Sequence, residues 1–251
     1  MKQGICELPY IPIHSEANHR SEMISQLLFG ETFNILEKRN SWIKIELHHD
    51  NCCGFIEENV LSIISYTTDN HIITQTTKLQ KNNEICFEIP MGSKIPLKID
   101  NNNCFSINTN NYRILNFTNM EISDKRKFLL SKAKEMLEVP YLYGGCSEWG
   151  VDNSGLSQFL YKLVGINIPR AVEEQTKCGN LVCFLEEAKS GDLAFFCNEE
   201  GKIIHVGIID ENKKIIHALG KVRKDNIDYY GIFNVETNKY SHQLSIIKSI
   251  L

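Results

Sequence analysis

The chain has 251 residues, of which 42% are hydrophobic, and 27 Lys and Arg face 31 Asp and Glu for a net charge of −4. That length allows one large domain or two to three small ones, and scattered charge of this sign leaves no basic face for a nucleic-acid partner. Met1 to Asn18 lacks the apolar core of a secretory signal, and no apolar run reaches membrane-spanning length. No membrane span is expected, and a cytoplasmic location, or a periplasmic or secreted one if an export signal has been removed. Nine cysteines, with Cys52 next to Cys53, show neither the spacing of a secreted disulfide framework nor a Cys-x-x-Cys pair. A reducing compartment fits this usage. No metal site and no cofactor are expected, and Cys6, Cys86, Cys104, Cys178, Cys183 and Cys197 are expected to be small buried apolar residues.

Residues 1–65 read as short strands joined by turns. Pro9 to His14 is extended, Leu27 to Glu31 ends in a turn, and Phe33 to Glu37 and Trp42 to Leu47 alternate at period two about the hinge Arg39-Asn40-Ser41. Gly54-Phe55-Ile56 closes what reads as a small barrel. Residues 66–118 are richer in Asn, Thr and Lys, with weaker alternation in His71 to Thr74 and Glu84 to Ile89. They read as a second, degenerate barrel, with turns at Asn101-Asn102-Asn103 and at Asn108 to Asn111. No chemistry is apparent in this segment.

Residues 119–251 open with an expected helix, Ser123 to Leu137, capped by Ser123 and ending before Pro140. The next stretch, Pro140 to Leu156, packs a loop, a sharp turn and a helix start together. Gly144, Gly145 and Gly150 relieve backbone crowding, Asp152 precedes the helical spacing of Leu156, Phe159, Leu160 and Leu163, and a helix begins near Asn153. Such a start gathers unpaired N–H groups and the positive end of the helix dipole, the environment of a thiolate nucleophile. Here the residue is Asn153. Gly191 to Phe196, Ile203 to Ile209 and Lys214 to Ala218 then read as antiparallel strands, making the segment α+β.

Three ordered blocks carry a resemblance: Pro140-Tyr141-Leu142-Tyr143-Gly144-Gly145 with Gly150-Val151-Asp152-Asn153-Ser154-Gly155; Gly165 to Arg170 with Gln175; and Gly191 to Phe196 with Ile204 to Ile208 and Ile216-His217-Ala218. They resemble the NlpC family of murein cysteine peptidases. Ser21-Glu22-Met23 with Gln26 to Glu31 resembles the SH3-like barrel of one branch, the γ-D-glutamyl-L-diamino acid endopeptidases, also called dipeptidyl-peptidase VI. The resemblance implies a papain-like α+β domain preceded by two small all-β SH3-like barrels. It places the catalytic roles on Asn153 (nucleophile), His205 (base) and His217 (orienting group), with Tyr141 a hydroxyl donor near the oxyanion. It also implies a murein-derived peptide with a free N-terminal L-Ala as ligand, with Glu22 as an amine-binding carboxylate and Asp152, Ser154 and Tyr143 lining the substrate site.

The chain departs from that pattern at its centre. A carboxamide is neither a thiolate nor deprotonated near neutral pH, so no acyl-enzyme forms at Asn153 by the family's route. Asp50 to Phe55 replaces an Asp-Gly-Tyr-x-Gly-Trp pattern, and Ala171 stands where the branch has an aspartate after Pro169-Arg170. The sequence-level expectation is an impaired or inactive homologue that binds murein peptide or a protein partner. Alternatives are an active endopeptidase using Ser154 or Cys146, one whose nucleophile was engineered to Asn, and an interaction module acting through the barrels.

Overall fold

Period-two alternation over Trp42–Leu47 puts Ile43, Ile45 and Leu47 on one face, and all three are buried. They pack with Cys6, Ile11, Ile13, Leu27, Phe33 and Ile56 into one core. In the computed structural model, residues 2–65, 70–96, 99–100, 102–116, 122–235 and 237–251 are described. The chain falls into two units, Met1–Glu121 and Ile122–Leu251.

In the first unit a seven-stranded antiparallel sheet runs in the order Met23–Leu28, Tyr10–His14, Cys53–Glu57, Trp42–Leu47, Thr32–Arg39, Gln3–Ile5, Ser62–Ile64. A four-stranded sheet follows, ordered Ile85–Ile89, Thr77–Lys81, Asn110–Ile114, Cys104–Ile107. The expected asparagine turns are present at Asn40, Asn103 and Asn108, which all take the left-handed conformation that asparagine tolerates; Asn101 lies outside the described residues. Ile5, Phe29 and Ile64 share a core with Leu79, Phe105 and Tyr112, so the two sheets of this unit are fused by apolar packing. Glu7 adds a polar clamp. It accepts from Ser62 Oγ, from Tyr112 OH (2.6 Å) and from Asn110 Nδ2 (2.7 Å).

The cysteines depart from expectation. Cys6 is buried, its thiol pushed far up by that burial, but Cys86 and Cys183 are exposed and Cys104, Cys178 and Cys197 only half-buried. Cys86 lies on Ile85–Ile89, an edge strand whose pattern leaves Ile85 and Cys86 outside the core. None of the nine forms a disulfide.

The second unit opens with α1 (Lys125–Glu135). Its cap is Asp124 rather than Ser123, because the Asp124 carboxylate accepts from Lys127 N (3.1 Å). Helix α2 (Asn153–Leu163) is buried along nearly its whole length and packs on the strand Ile203–Ile209, with Tyr161 OH donating to Gly191 O (2.7 Å). The sheet runs Asn180–Val182, Lys239–Ser249, Leu193–Cys197, Ile203–Ile209, Lys214–Leu219, Lys221–Ile227, Gly231–Asn234. Gly231–Asn234 pairs back onto Lys239–Ser249, closing a ring of strands. Phe196, Ile209, Ile215, Ile227, Ile232 and Ile247 form the buried cluster these strands share.

The Glu7 clamp sets an acid dependence. Burial raises the Glu7 carboxyl, but the hydrogen bonds from Ser62, Tyr112 and Asn110 and the charge of Lys81 outweigh it and hold the group below its ordinary value. Stability from a lowered carboxyl is present above the unfolded value and lost as pH falls through the folded one. Glu7→Gln is expected to cost about 1–3 kcal/mol at neutral pH and to flatten the acid limb of chemical denaturation curves recorded from pH 7 to pH 3.

Candidate active site

The turn into α2 is built from backbone contacts that side chains would block. Leu142 N donates to Val151 O (3.0 Å) and Asp152 N to Gly145 O (3.2 Å). A Cβ on Gly155 would fall 2.0 Å from Gly145 O, and one on Gly145 2.4 Å from Gly150 O, so the loop and the first helical turn come this close only because these positions are glycine. Asp152 caps the helix: Oδ1 accepts from Gly155 N (2.7 Å) and Oδ2 from Gly144 N (2.9 Å). Arg170 clamps the same carboxylate through Nη1 (3.0 Å) and Nη2 (2.5 Å), and its Nη1 also donates to Ser154 Oγ (2.8 Å). Gln175, fully buried, ties the Ser154 carbonyl to the Pro169 carbonyl through Nε2 (3.0 and 2.8 Å).

Across from this turn, three neighbouring strands deliver a row of polar groups. Gly207 pairs with His217 in register, and His217 with Arg223. Alternation therefore puts His205, His217, Arg223 and Asp225 on one face of the sheet. His205 reaches diagonally to His217, Nε2 to Nδ1 at 2.8 Å, and His217 Nε2 lies 2.9 Å from Asp225 Oδ2. Arg223 donates to both oxygens of Asp225, from Nε (2.7 Å) and Nη2 (2.9 Å). Gly207 makes room for this: a Cβ there would come within 2.9 Å of the His217 Cβ. Burial, and next the neighbouring His217 and His242, hold His205 well below the ordinary imidazole range. The His242 ring lies on that of His205 (4.2 Å between centroids, 22° between planes), and burial pulls it down to about 4.

Asn153 meets this row at its open end. Its Oδ1 accepts from Ser154 N (2.5 Å), and its Nδ2 faces Ile204 O (3.0 Å) and His205 Nδ1 (3.1 Å). An amide N–H can only donate and a carbonyl only accept, so the orientation of the carboxamide is chemically fixed. His205 Nδ1 must then accept, its Nε2 carries the proton and donates to His217 Nδ1, and His217 Nε2–H donates to Asp225. Each step follows from the one before it.

Asn153, His205 and His217 are thus brought together. Tyr141 pairs with Val151 just ahead of the α2 cap and is about one-third exposed. Asp152 and Ser154 lie beside Asn153 with their oxygens engaged by Arg170, and Tyr143 is largely exposed on the loop. Glu22 belongs to the first unit, where it is exposed and its carbonyl accepts from Ser15 N (2.9 Å). Ser154 Oγ has Arg170 and Asp152 as partners, and Cys146 is buried in a short hairpin opposite Val151. Sequence reasoning missed Arg223, Asp225 and His242. The Arg223-Lys224-Asp225 alternation was a readable signal for a further strand, whereas His242 reaches the site only through the ring closure.

A helix N-terminus aimed at a histidine row on an antiparallel sheet is a papain-like architecture, here with Asn153 at the helix start. Residues 138–243 match the NlpC/P60 family, and residues 13–61 the bacterial dipeptidyl-peptidase SH3 domain. The chain therefore carries an NlpC/P60 domain preceded by a bacterial SH3 domain, and it is homologous to the Bacillus γ-D-glutamyl-L-lysine dipeptidyl-peptidases. It is 44% identical over 84 residues to the Bacillus subtilis enzyme of that name, covering 33% of this chain and 28% of that protein. The Bacillus cereus enzyme is 24% identical, covering 79% of this chain and 68% of that one. A crystal structure of an NlpC/P60 family protein from Bacillus cereus superposes with a TM-score of 0.79 at 18% identity, covering 99% of each chain.

The direction of the hydrogen-bond row is directly observable. Long-range nitrogen-15 spectra at pH 6 are expected to show His205 neutral with its proton on Nε2. Because a histidine held neutral by burial must take up a proton on unfolding, stability should fall as pH drops below about 6.5, by about 1.4 kcal/mol per pH unit for each such group. A His205 imidazolium at pH 6 would contradict the assignment.

Proposed function

We propose that this chain is a receptor for murein-derived peptides of the L-Ala-γ-D-Glu-diamino acid type that does not hydrolyse them by the cysteine route. The observation that carries the reading is the Asn153 carboxamide. It stands at the N-terminus of α2 against His205 Nδ1, with its oxygen on Ser154 N and its nitrogen on Ile204 O. In a cysteine peptidase that place belongs to a thiolate, which attacks the amide carbonyl while the imidazole carries the proton to the leaving amine. Asn153 offers no electron pair for attack, because its nitrogen lone pair is delocalised into the carbonyl.

The surrounding groups support retained recognition. The helix start still turns the positive end of the α2 dipole toward the row, and Tyr141 precedes it with its hydroxyl held protonated by burial and by the Asp152 charge. The buried row from His205 to Asp225 is complete. Neither alternative nucleophile has matching geometry, since the Ser154 hydroxyl is turned to Arg170 and Asp152, and Cys146 lies within its hairpin. The homologous Bacillus enzymes are γ-D-glutamyl-L-lysine dipeptidyl-peptidases, which supports the choice of peptide.

The test pairs calorimetry with a cleavage assay on L-Ala-γ-D-Glu-L-Lys. The parent protein is expected to bind without turnover, and Asn153→Cys to gain hydrolysis by at least about a thousandfold over the parent, set against the millionfold scale of removing a nucleophile. That activity should vanish in Asn153→Cys with His205→Ala. Cleavage by the parent that disappears in His205→Ala would overturn the reading.

A further inference from the structure

His242 lies outside the row of hydrogen bonds and yet touches its centre. Its ring is nearly parallel to that of His205, at 4.2 Å and 22°, and Phe196, which pairs with His205 on the adjoining strand, packs on both rings at 6.0 and 6.3 Å. The two histidines are on strands that are not neighbours, because Leu193–Cys197 runs between Ile203–Ile209 and Lys239–Ser249. Strands two apart in a sheet lie about 9–10 Å from each other, so their side chains meet only where the backbone turns them together.

Two extra residues provide that turn. Ser241 stands between the pairs Ile232–His242 and Phe233–Tyr240, and Ile204 between the pairs Phe196–His205 and Cys197–Ile203, so each histidine sits beside a bulge. A bulge bends its strand and re-aims the side chains next to it. Ser241 also holds the ring that it helps to turn, with Oγ 3.0 Å from His242 Nδ1. His242 lines the wall of an open groove, whereas His205 is buried. The stacked ring therefore covers the groove side of the row. Burial keeps His242 uncharged at neutral pH, so it covers His205 as an aromatic face and not as a competing cation.

We propose that His242 is a positioning residue of the row: stacked on His205, it fixes the plane in which Nδ1 meets Asn153 and Nε2 meets His217, and it keeps groove water off both bonds. The hydrogen bonds select which edge of the ring faces Asn153, but one bond at each nitrogen leaves the ring free to tilt. A partner at 4.2 Å blocks the tilted positions. The assignment concerns the row itself and holds whichever ligand the cleft takes.

The test uses the full chain with nitrogen-15-labelled histidine. An N–H···N bond transmits scalar coupling between its two nitrogens, so the parent is expected to show coupling between His205 Nε2 and His217 Nδ1 and a single His205 tautomer. His242→Phe keeps a flat ring and should preserve both. His242→Ala should lose the coupling and move the His205 nitrogen signals toward tautomer-averaged positions. His242→Gln, which has similar reach and no aromatic face, should behave as His242→Ala does and carries the test if His242→Ala does not fold. In the Asn153→Cys background, adding His242→Ala is expected to lower kcat on L-Ala-γ-D-Glu-L-Lys about ten- to a hundredfold with KM within about twofold, and His242→Phe in its place to keep most of the rate. Coupling and tautomer retained without the aromatic face overturn the proposal even where the melting temperature falls, because His242 would then only fill space. Loss of both in His242→Phe overturns it as well. The coupling is measured without peptide, so its outcome is separate from that of the peptide-binding reading.

Discussion

The polarity of one contact, the Asn153 amide nitrogen facing His205 Nδ1, determines the direction of every hydrogen bond along the row to Asp225. A thiolate in that place would accept a hydrogen bond from an imidazolium N–H, and the histidine would be poised as a cation beside it. Here the first group donates, the imidazole is held neutral, and the remaining proton positions follow. The scaffold needs no rearrangement for this inversion. The helix start, its Asp152 cap and the Arg170 clamp on that cap are all compatible with a donor at the head of the row.

Two kinds of order therefore meet at the site. The turn into α2 is local, held by contacts among Leu142, Gly145, Val151, Asp152 and Gly155 that lie close together in sequence. The histidine row is not: it depends on the register of three strands and on burial against α2. Arg223 and Asp225 anchor its far end. Burial and the hydrogen bonds from His217 and Arg223 act on Asp225 in opposite directions, and the hydrogen bonds win, keeping it ionised. That carboxylate holds the last proton of the row in place.

What the sequence disclosed follows the same division. The start of α2, its cap and the strands carrying His205 and His217 were readable, because short-range spacing and glycine chemistry specify them. The helix before them begins one residue late, since Asp124 and not Ser123 supplies the cap oxygen, and either residue type suits that role. The exposure of Cys86 and Cys183 was not legible, because composition says nothing of which strand lies at a sheet edge, as with Cys86, or of which residue falls just past a strand end, as with Cys183. His242 was invisible for a related reason. It joins the site through the closure of Lys239–Ser249 onto both Leu193–Cys197 and Gly231–Asn234, a pairing that no local pattern announces.

The space at Gly207 makes the site sensitive to a position that touches neither Asn153 nor Asp225. A Cβ at 207 would fall 2.7 Å from Ile215 Cγ1 and 2.9 Å from His217 Cβ, so a larger residue there pushes on both side chains of the neighbouring strand at once. A methyl group at 207 would therefore act on the proton row from outside it, shifting His217 against Asp225 without changing any of the row's own residues.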